Sequence, residues 1–317
     1  MIVGLSPMDD ITDMPFRQLC KEMGADLLIT EFIASEALNR DAEKSLRKMR
    51  FTPEQRPIGI QIFGANEDEL LRCIDVVEQA EPDFIDINWG CPVRKVAGKG
   101  AGSGILQDIP KMLRITASMV KYAHLPVTVK TRLGYSAGSM MITDFAEALQ
   151  DTGISALSIH GRTKNQMYSG VADWTMIGQV KNNPRIHIPI YGNGDITTAA
   201  QAVDSKRCYG VDGILIGRGA IGNPWIFEQC RCAFAGEPER EPEREIGIDE
   251  RVAVCRRHLL AAAEFKGERT AVFEMRKHYG AYFKGIFNFK PFRLALVETT
   301  TVEDMLVVFD RILEHYC

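Results

Sequence analysis

Short apolar runs of strand length recur along the chain. Each ends in a turn rich in Gly, Asn, Asp or Pro, and a segment with helical spacing follows. The runs lie at 2–8, 25–33, 57–64, 84–92, 127–134, 156–163, 188–196 and 213–221. Their apolar positions are continuous rather than alternating, which predicts strands covered on both faces and therefore a parallel sheet. Helical patterns fall between them at 67–79, 111–122, 140–151, 175–181 and 197–205. Asp13 is placed to cap a first helix, with Pro15 at an early helical position. This cadence predicts an α/β chain with a (β/α)8 TIM barrel. An open doubly wound sheet normally carries a glycine-rich dinucleotide turn after its first strand. Here that strand runs into Ser6-Pro7-Met8-Asp9-Asp10, which favours the barrel.

The strand cadence stops at 236–247, GEPEREPEREIG, a charged, proline-containing stretch that reads as a linker. Helical spacing then returns at 251–265, 270–286 and 302–316. The predicted organisation is a barrel over 1–235, a linker over 236–247 and a small helical domain over 248–317. The middle helix carries Arg276, Lys277, His278 and Lys284 among Tyr279, Tyr282, Phe283 and Phe287. A basic face beside an aromatic core face suits an ordinary amphipathic helix and a nucleic-acid contact equally well.

The 317 residues are 45% hydrophobic and 25% charged, an ordinary globular composition. A net charge of −4 means that nucleic acid would have to be met by a local basic patch. The eight cysteines are scattered without a CxxC pair, so reduced thiols in a cytoplasmic protein are expected, and no metal site. The amino terminus runs straight into structured-looking sequence, so no secretory signal is expected. No apolar run approaches bilayer length.

The richest chemistry lies in 83–106, DFIDINWGCPVRKVAGKGAGSGIL. Pro92 ends the strand, so Cys91 sits where strand gives way to a basic, glycine-rich loop. A buried packing cysteine is the plain alternative. Arg94, Lys95 and Lys99 beside it favour thiolate and attract anions, which argues for a reactive group. Barrel active sites gather at the carboxyl ends of the strands. Those ends hold Ser6; Thr30 and Glu31; Gln61; Asn88 and Cys91; Lys130 and Arg132; His160 and Arg162; Asn193 and Asp195; and Arg218 between Gly217 and Gly219. Gly192-Asn193-Gly194-Asp195 and Gly217-Arg218-Gly219 suit the usual barrel phosphate site. Gln61 suits the edge of a heteroaromatic ring and Lys130 an anionic reduced ring. Together these point to flavin mononucleotide (FMN).

The same residues carry a family resemblance. SPMDDITDMPFR (6–17), TEFIASEAL (30–38), QIFG (61–64), DINWGCPVRKVAGKGAGSGIL (86–106), VKTRLG (129–134), HGRT (160–163), NGDI (193–196), GRGAIGNPWIF (217–227) and MRKHYGAYFKG (275–285) occur in order over nearly the whole chain. In these the sequence resembles the tRNA-dihydrouridine synthases, most closely the bacterial B-type branch. It departs at Ser6, where Ala is usual, at Asp9-Asp10, where a small residue and Gly are usual, and at Trp89, where Met is usual. The resemblance implies an FMN-bound barrel, a tRNA-holding helical domain and NADPH as reductant, with no stable protein partner. By it, Pro7 and Met8 line the flavin, Gln61 and Lys130 contact its ring, and His160 lies beside it. Asn193, Gly194, Asp195, Gly217 and Arg218 hold its phosphate, and Asn88 lies next to flavin and base. It further implies reduction of the C5–C6 double bond of a uracil in tRNA. Hydride passes from reduced FMN to C6, and Cys91 gives a proton to C5. Lys130 or Arg162 stabilises the developing oxyanion, while Arg94, Lys95, Lys99, Arg276, Lys277 and Lys284 meet tRNA.

Three other readings are open to the residues alone. One is a flavin barrel for free pyrimidines, of the dihydroorotate dehydrogenase kind, which has no need of a basic helical domain. Another is a flavin-free aldolase using Lys130 as a Schiff-base nucleophile. The last is a tRNA-binding module without activity, against which Cys91, Lys130 and His160 all speak.

Overall fold

The computed structural model describes residues 1–40, 42–236 and 244–317; most of the linker predicted at 236–247 lies outside them. Nine parallel strands form one sheet. They are β1 Ile2–Leu5, β2 Leu28–Ile29, β3 Ile33–Ala34, β4 Ile58–Phe63, β5 Phe84–Trp89, β6 Val127–Arg132, β7 Ala156–His160, β8 Ile190–Asn193 and β9 Gly213–Ile216. The order is β1-β9-β8-β7-β6-β5-β4-β2, with β3 also on β4. A parallel bridge from Gly4 to Leu27 brings β1 back beside β2, giving a nearly closed TIM barrel as expected. The second predicted strand is split in two because Thr30 interrupts its ladder. The Thr30 hydroxyl, rather than a carbonyl, accepts the Gln61 N–H at 3.0 Å.

The two-residue period of each strand sorts its side chains. On β5, Trp89 points out, and its indole N–H donates to Thr116 in the helix Ile109–Tyr122 at 3.1 Å. Phe84 points in, joining Ile29 and Leu215 in a small core inside the barrel. That ring explains Gly59 opposite it, since a Cβ there would stand 2.1 Å from Phe84. Above Phe84 the interior turns polar, with the Asp86 carboxylate accepting from both Gln61 and Thr128.

Predicted helices appear at Met14–Glu22, Glu67–Glu78, Ile109–Tyr122, Ile142–Gln150, Trp174–Lys181 and Ala199–Tyr209. Asp13 caps the first as expected, its carboxylate accepting the Phe16 N–H at 3.0 Å. The helices Glu43–Met49 and Ile226–Ala235 were not anticipated.

Beyond residue 247 the helices are Ile248–Lys266, Glu268–Tyr282, Lys290–Glu298 and Val302–Tyr316. Lys290–Glu298 escaped prediction because it buries only Leu296, leaving little apolar periodicity to read. The predicted helix over 270–286 ends at Tyr282. Phe287 does not belong to its core face, being 81% exposed. These helices share a core of Cys255, Leu259, Met275, Tyr279 and Phe309, which also takes in Ile246 from the predicted linker. Leu19 and Trp225 enter that core from the barrel side. Phe16 stacks on His258 with ring centroids 5.3 Å apart. Burial keeps His258 neutral, pushing its pKa down to about 3. Among the described residues no helix is long and apolar enough to cross a membrane.

Candidate active site

A cavity of about 800 Å³ opens at the carboxyl ends of the strands. Its wall includes Pro7, Met8, Asn88, Cys91, Lys130, His160, Asn193, Gly194, Asp195, Gly217 and Arg218, which come from six different strand ends. The parallel register does this, bringing inward-facing residues near the carboxyl ends of the strands together. Asn88 pairs with Lys130, Arg132 with His160, and His160 with Asn193.

Cys91 is held by its backbone. The Asn88 side-chain oxygen accepts the N–H of Gly90 at 2.9 Å and of Cys91 at 2.8 Å. The Cys91 carbonyl accepts from the Ser103 N–H at 3.0 Å and the Ser103 hydroxyl at 2.8 Å. The glycines of this loop serve close packing. Gly102 adopts φ 51°, and a Cβ there would stand 2.9 Å from the Cys91 carbonyl oxygen. The expected drift to thiolate does not occur. Burial pushes the Cys91 thiol up, and Asp9 adds to this against the Val93 N–H, Arg132 and Lys130. Arg94, Lys95 and Lys99 point into solvent, where their charge is screened.

Lys130 lies in the barrel interior and donates to the Asn193 side-chain oxygen at 3.0 Å. Burial and the neighbouring Arg132 push its pKa down to about 8, only partly offset by Asp86 and Cys91. His160 is held neutral, far below its usual value, by burial and by Arg132, Lys130, Arg162 and Arg218. The wall thus sets three cations, Lys130, Arg132 and Arg218, against the carboxylates of Asp9 and Asp195.

Two of the expected site residues are held by other protein groups. Gln61 does not reach the cavity: it pairs in register with Asp86, two residues below Asn88 on the strand, and is fully buried. Its amide donates to Asp86 at 2.6 Å and accepts from Asn88 at 2.8 Å, so it acts on the site through Asn88. Arg162 is likewise engaged within the protein. Its guanidinium is 2% exposed and grips Asp195 at 2.9 and 2.7 Å, donating besides to the Ser169 and Gly170 carbonyls. Asp195 in turn pairs with Arg218 at 3.0 Å. Asp195 thus braces both guanidinium groups.

Arg132 and Tyr168 join the site. Arg132 lines the cavity and ties the Gly90 carbonyl at 2.7 Å to those of Thr163 at 3.0 Å and Met167 at 2.8 Å. Burial pushes its pKa down to about 10. Tyr168 is flanked by the Arg132 and Arg218 guanidinium groups, 5.7 and 5.3 Å from its ring centroid. A lone tyrosine in a loop carried no readable signal. Arg132 stood at a strand end but was indistinguishable there from a packing arginine.

Of the residues expected to meet tRNA, Arg94, Lys95, Lys99 and Lys284 are exposed. Arg276 is half-buried, donating to the Thr299 carbonyl at 3.3 Å and stacking on Phe273 at 4.4 Å. Lys277 reaches the barrel, 3.6 Å from the Asp10 carboxylate. Asp9, Asp10 and Glu31 bring three carboxylates together, which sequence spacing did not suggest, but the cluster already contains the Lys48 ammonium.

A parallel barrel with an open cationic mouth defines a class of TIM-barrel enzymes. Similar solved structures include histamine dehydrogenase from Rhizobium sp. 4-9, with a TM-score of 0.57, 12% identity and coverage of 82% of this chain and 48% of that one. A morphinone reductase mutant in complex with tetrahydroNAD has a TM-score of 0.53 at 11% identity, covering 73% of this chain and 86% of that one. The family model "Dihydrouridine synthase (Dus)" matches residues 4–315, and the chain belongs to that family of flavin-dependent oxidoreductases. A "Probable tRNA-dihydrouridine synthase" of Rickettsia conorii is 34% identical, over 98% of this chain and 92% of the relative. A "tRNA-dihydrouridine synthase B" of Xanthomonas campestris pv. campestris is 35% identical, over 96% of this chain and 91% of the relative.

Proposed function

We propose that this chain is a tRNA-dihydrouridine synthase that reduces the C5–C6 double bond of particular uridines, with FMN as its flavin and NADPH as reductant. The reading divides the chain into a catalytic barrel over 1–235 and an RNA-receiving helical domain over 248–317, working in the cytoplasm. The observation that carries it is a buried thiol, Cys91, kept protonated on the same cavity wall as the under-compensated cation Lys130.

The residues fit a phosphate-bearing flavin. The chemistry of the donor set is right: Lys130 is a buried cation whose hydrogen-bond acceptor is a neutral amide, so an anionic ring would complete it. Gly219 packs so closely that a Cβ would stand 2.2 Å from the Ile196 carbonyl oxygen, which keeps the turn beside Arg218 tight. Pro7, Met8, Lys130 and His160 would hold the ring, and Asn193, Gly194, Gly217 and Arg218 the phosphate. When bound, the flavin supplies hydride to C6 of the uracil.

Cys91 gives its proton to C5. A thiol raised by burial holds that proton at neutral pH, as an acid must. Asn88 fixes the Cys91 backbone and so the direction of the sulfur. Charge developing toward O4 is met by Lys130 and Arg132, since Arg162 is committed to Asp195. A uracil inside a stack is out of reach of this recess, so the base must be presented flipped. The Lys130 pKa would equally suit an amine nucleophile, but family membership argues against the aldolase reading.

The test is purified protein given FMN, NADPH and either unmodified tRNA or free uridine. Dihydrouridine in tRNA, and little from uridine, is expected. Comparable turnover of free pyrimidines would favour the dehydrogenase reading instead. Mapping dihydrouridine position by position in tRNA from cells lacking the protein identifies the target uridines.

A further inference from the structure

The loop at 6–13 supplies Ser6, Pro7, Met8, Asp9 and Ile11 to the cavity wall. It also carries three carboxylates, Asp9, Asp10 and Asp13, and each meets a lysine from a different helix. Asp9 meets Lys48 of the helix Glu43–Met49, a nearly buried side chain that also lies 3.4 Å from Glu31. Asp10 meets Lys277 of the helix Glu268–Tyr282, 3.6 Å from its carboxylate and 3.5 Å from its carbonyl oxygen. Lys44, from the same helix as Lys48, lies equally near the Asp10 carboxylate at 3.6 Å, but of the two lysines it is Lys277 that also bonds the carbonyl. Asp13 meets Lys266, the last residue of the helix Ile248–Lys266, and Lys266 also lies 2.5 Å from Glu274.

Lys277 and Lys266 thus come from the helical region, although the loop they hold belongs to the barrel. The loop needs holding. Asp10 adopts a left-handed φ of 55°, uncommon for a residue with a side chain. Its N–H is taken by Glu31 at 2.8 Å, and its carbonyl faces Lys277. Only two residues before it, Met8 is tied to the Thr12 hydroxyl in both directions, at 3.0 and 3.1 Å, so a shift at Asp10 would carry Met8 with it. At the far end Asp13 both caps the helix Met14–Glu22 and accepts from Lys266. Asp13 and Lys266 are 9% and 8% exposed, so their pairing is shielded from solvent. Without Lys266, the nearly buried Asp13 carboxylate would lose its cation, with the half-buried Glu274 carboxylate left beside it.

We propose that Lys266 and Lys277 are positioning residues for the flavin site: the helical region, besides receiving RNA, holds the 6–13 loop in the shape that presents Pro7, Met8 and Asp9 to the cofactor. This rests on the reading that the cavity takes a flavin. It gives Lys277 a role different from the tRNA contact expected of it.

The test uses full-length protein freed of flavin and titrated with FMN, followed by flavin fluorescence, alongside unmodified tRNA binding and thermal melting. Lys266→Met is expected to weaken FMN binding at least tenfold, and Lys266→Arg to restore it. Lys277→Met, a change at a half-exposed side chain, is expected to keep the melting temperature, weaken FMN several-fold and leave tRNA affinity nearly unchanged. Val308→Ala, which loosens the helical core away from the loop, is expected to lower the melting temperature without changing FMN affinity. Unchanged FMN affinity in both lysine-to-methionine variants would overturn the inference. So would an FMN loss in Val308→Ala that matches Lys266→Met at equal loss of melting temperature. Wild-type protein that takes up no FMN would instead remove the flavin reading itself, and the inference with it.

Discussion

The Lys130 ammonium donates to the Asn193 side-chain oxygen at 3.0 Å across the barrel mouth, although the strand that carries His160 runs between theirs. The two residues meet because inward side chains of alternate strands converge on the barrel axis. The pair leaves an ammonium, shifted to a pKa of about 8, without a full counter-charge.

That shift sets a pH dependence for cofactor binding. An anionic ligand favours the charged form, so the bound pKa lies above about 8. Below pH 8 Lys130 is charged in both states and affinity is flat. As pH rises through 8 the free protein loses the proton, and affinity falls by up to about tenfold per unit until the bound form also titrates. Anaerobic titrations with reduced FMN, whose ring is the anionic form, between pH 7 and 10 check this, and Lys130→Met should flatten the profile.

Cys91→Ala should keep bound flavin yet lose uridine reduction by roughly 10²- to 10⁴-fold, the range of a lost general acid. Single-turnover measurement of dihydrouridine, beside the flavin absorbance of the purified variant, separates the two effects. Undiminished turnover would end the acid assignment.

Asp9→Asn should make Cys91 more reactive. The Asp9 carboxylate raises the thiol pKa, so its removal lowers that pKa and increases the thiolate fraction at a given pH. Iodoacetamide labelling at pH 8, resolved by peptide mass spectrometry from the exposed Cys208 and Cys317, should show Cys91 modified several-fold faster. Slower or equal labelling contradicts the assignment.

Arg162→Lys should act on the phosphate without touching it. Lysine cannot grip Asp195 with a two-pronged fork, so Arg218 loses its brace. FMN affinity should fall by about tenfold while riboflavin, which lacks the phosphate, binds as before. Equal losses for both ligands would place the effect on the ring side of the cavity.

Binding of unmodified tRNA should weaken steeply with salt, with a log–log slope near −0.7 to −0.9 per phosphate met. Replacing Arg94, Lys95 and Lys99 together by Gln should reduce that slope by about two to three units. A filter-binding series across salt concentrations reads it directly.

The sequence alone determined the barrel cadence, the place of Cys91 at a strand end, and the polar groups at the other ends. These depend on local periodicity and on where Pro or Gly interrupts it, both written along the chain. Its blind spots were local too: Thr30 broke a strand by offering its hydroxyl, and the helix Lys290–Glu298 buried too little to be seen. Partner choice was decided only in three dimensions. Arg132 faces the cavity while Arg162 is spent on Asp195, and no spacing distinguishes them. Arg94, Lys95 and Lys99 are neighbours of Cys91 in sequence, yet burial and Asp9 govern its proton. Lys266 and Lys277 reach Asp13 and Asp10 across more than two hundred residues of chain. Charge and desolvation act through space, so which cation meets which carboxylate is settled by the closing of the barrel and the docking of the helices upon it.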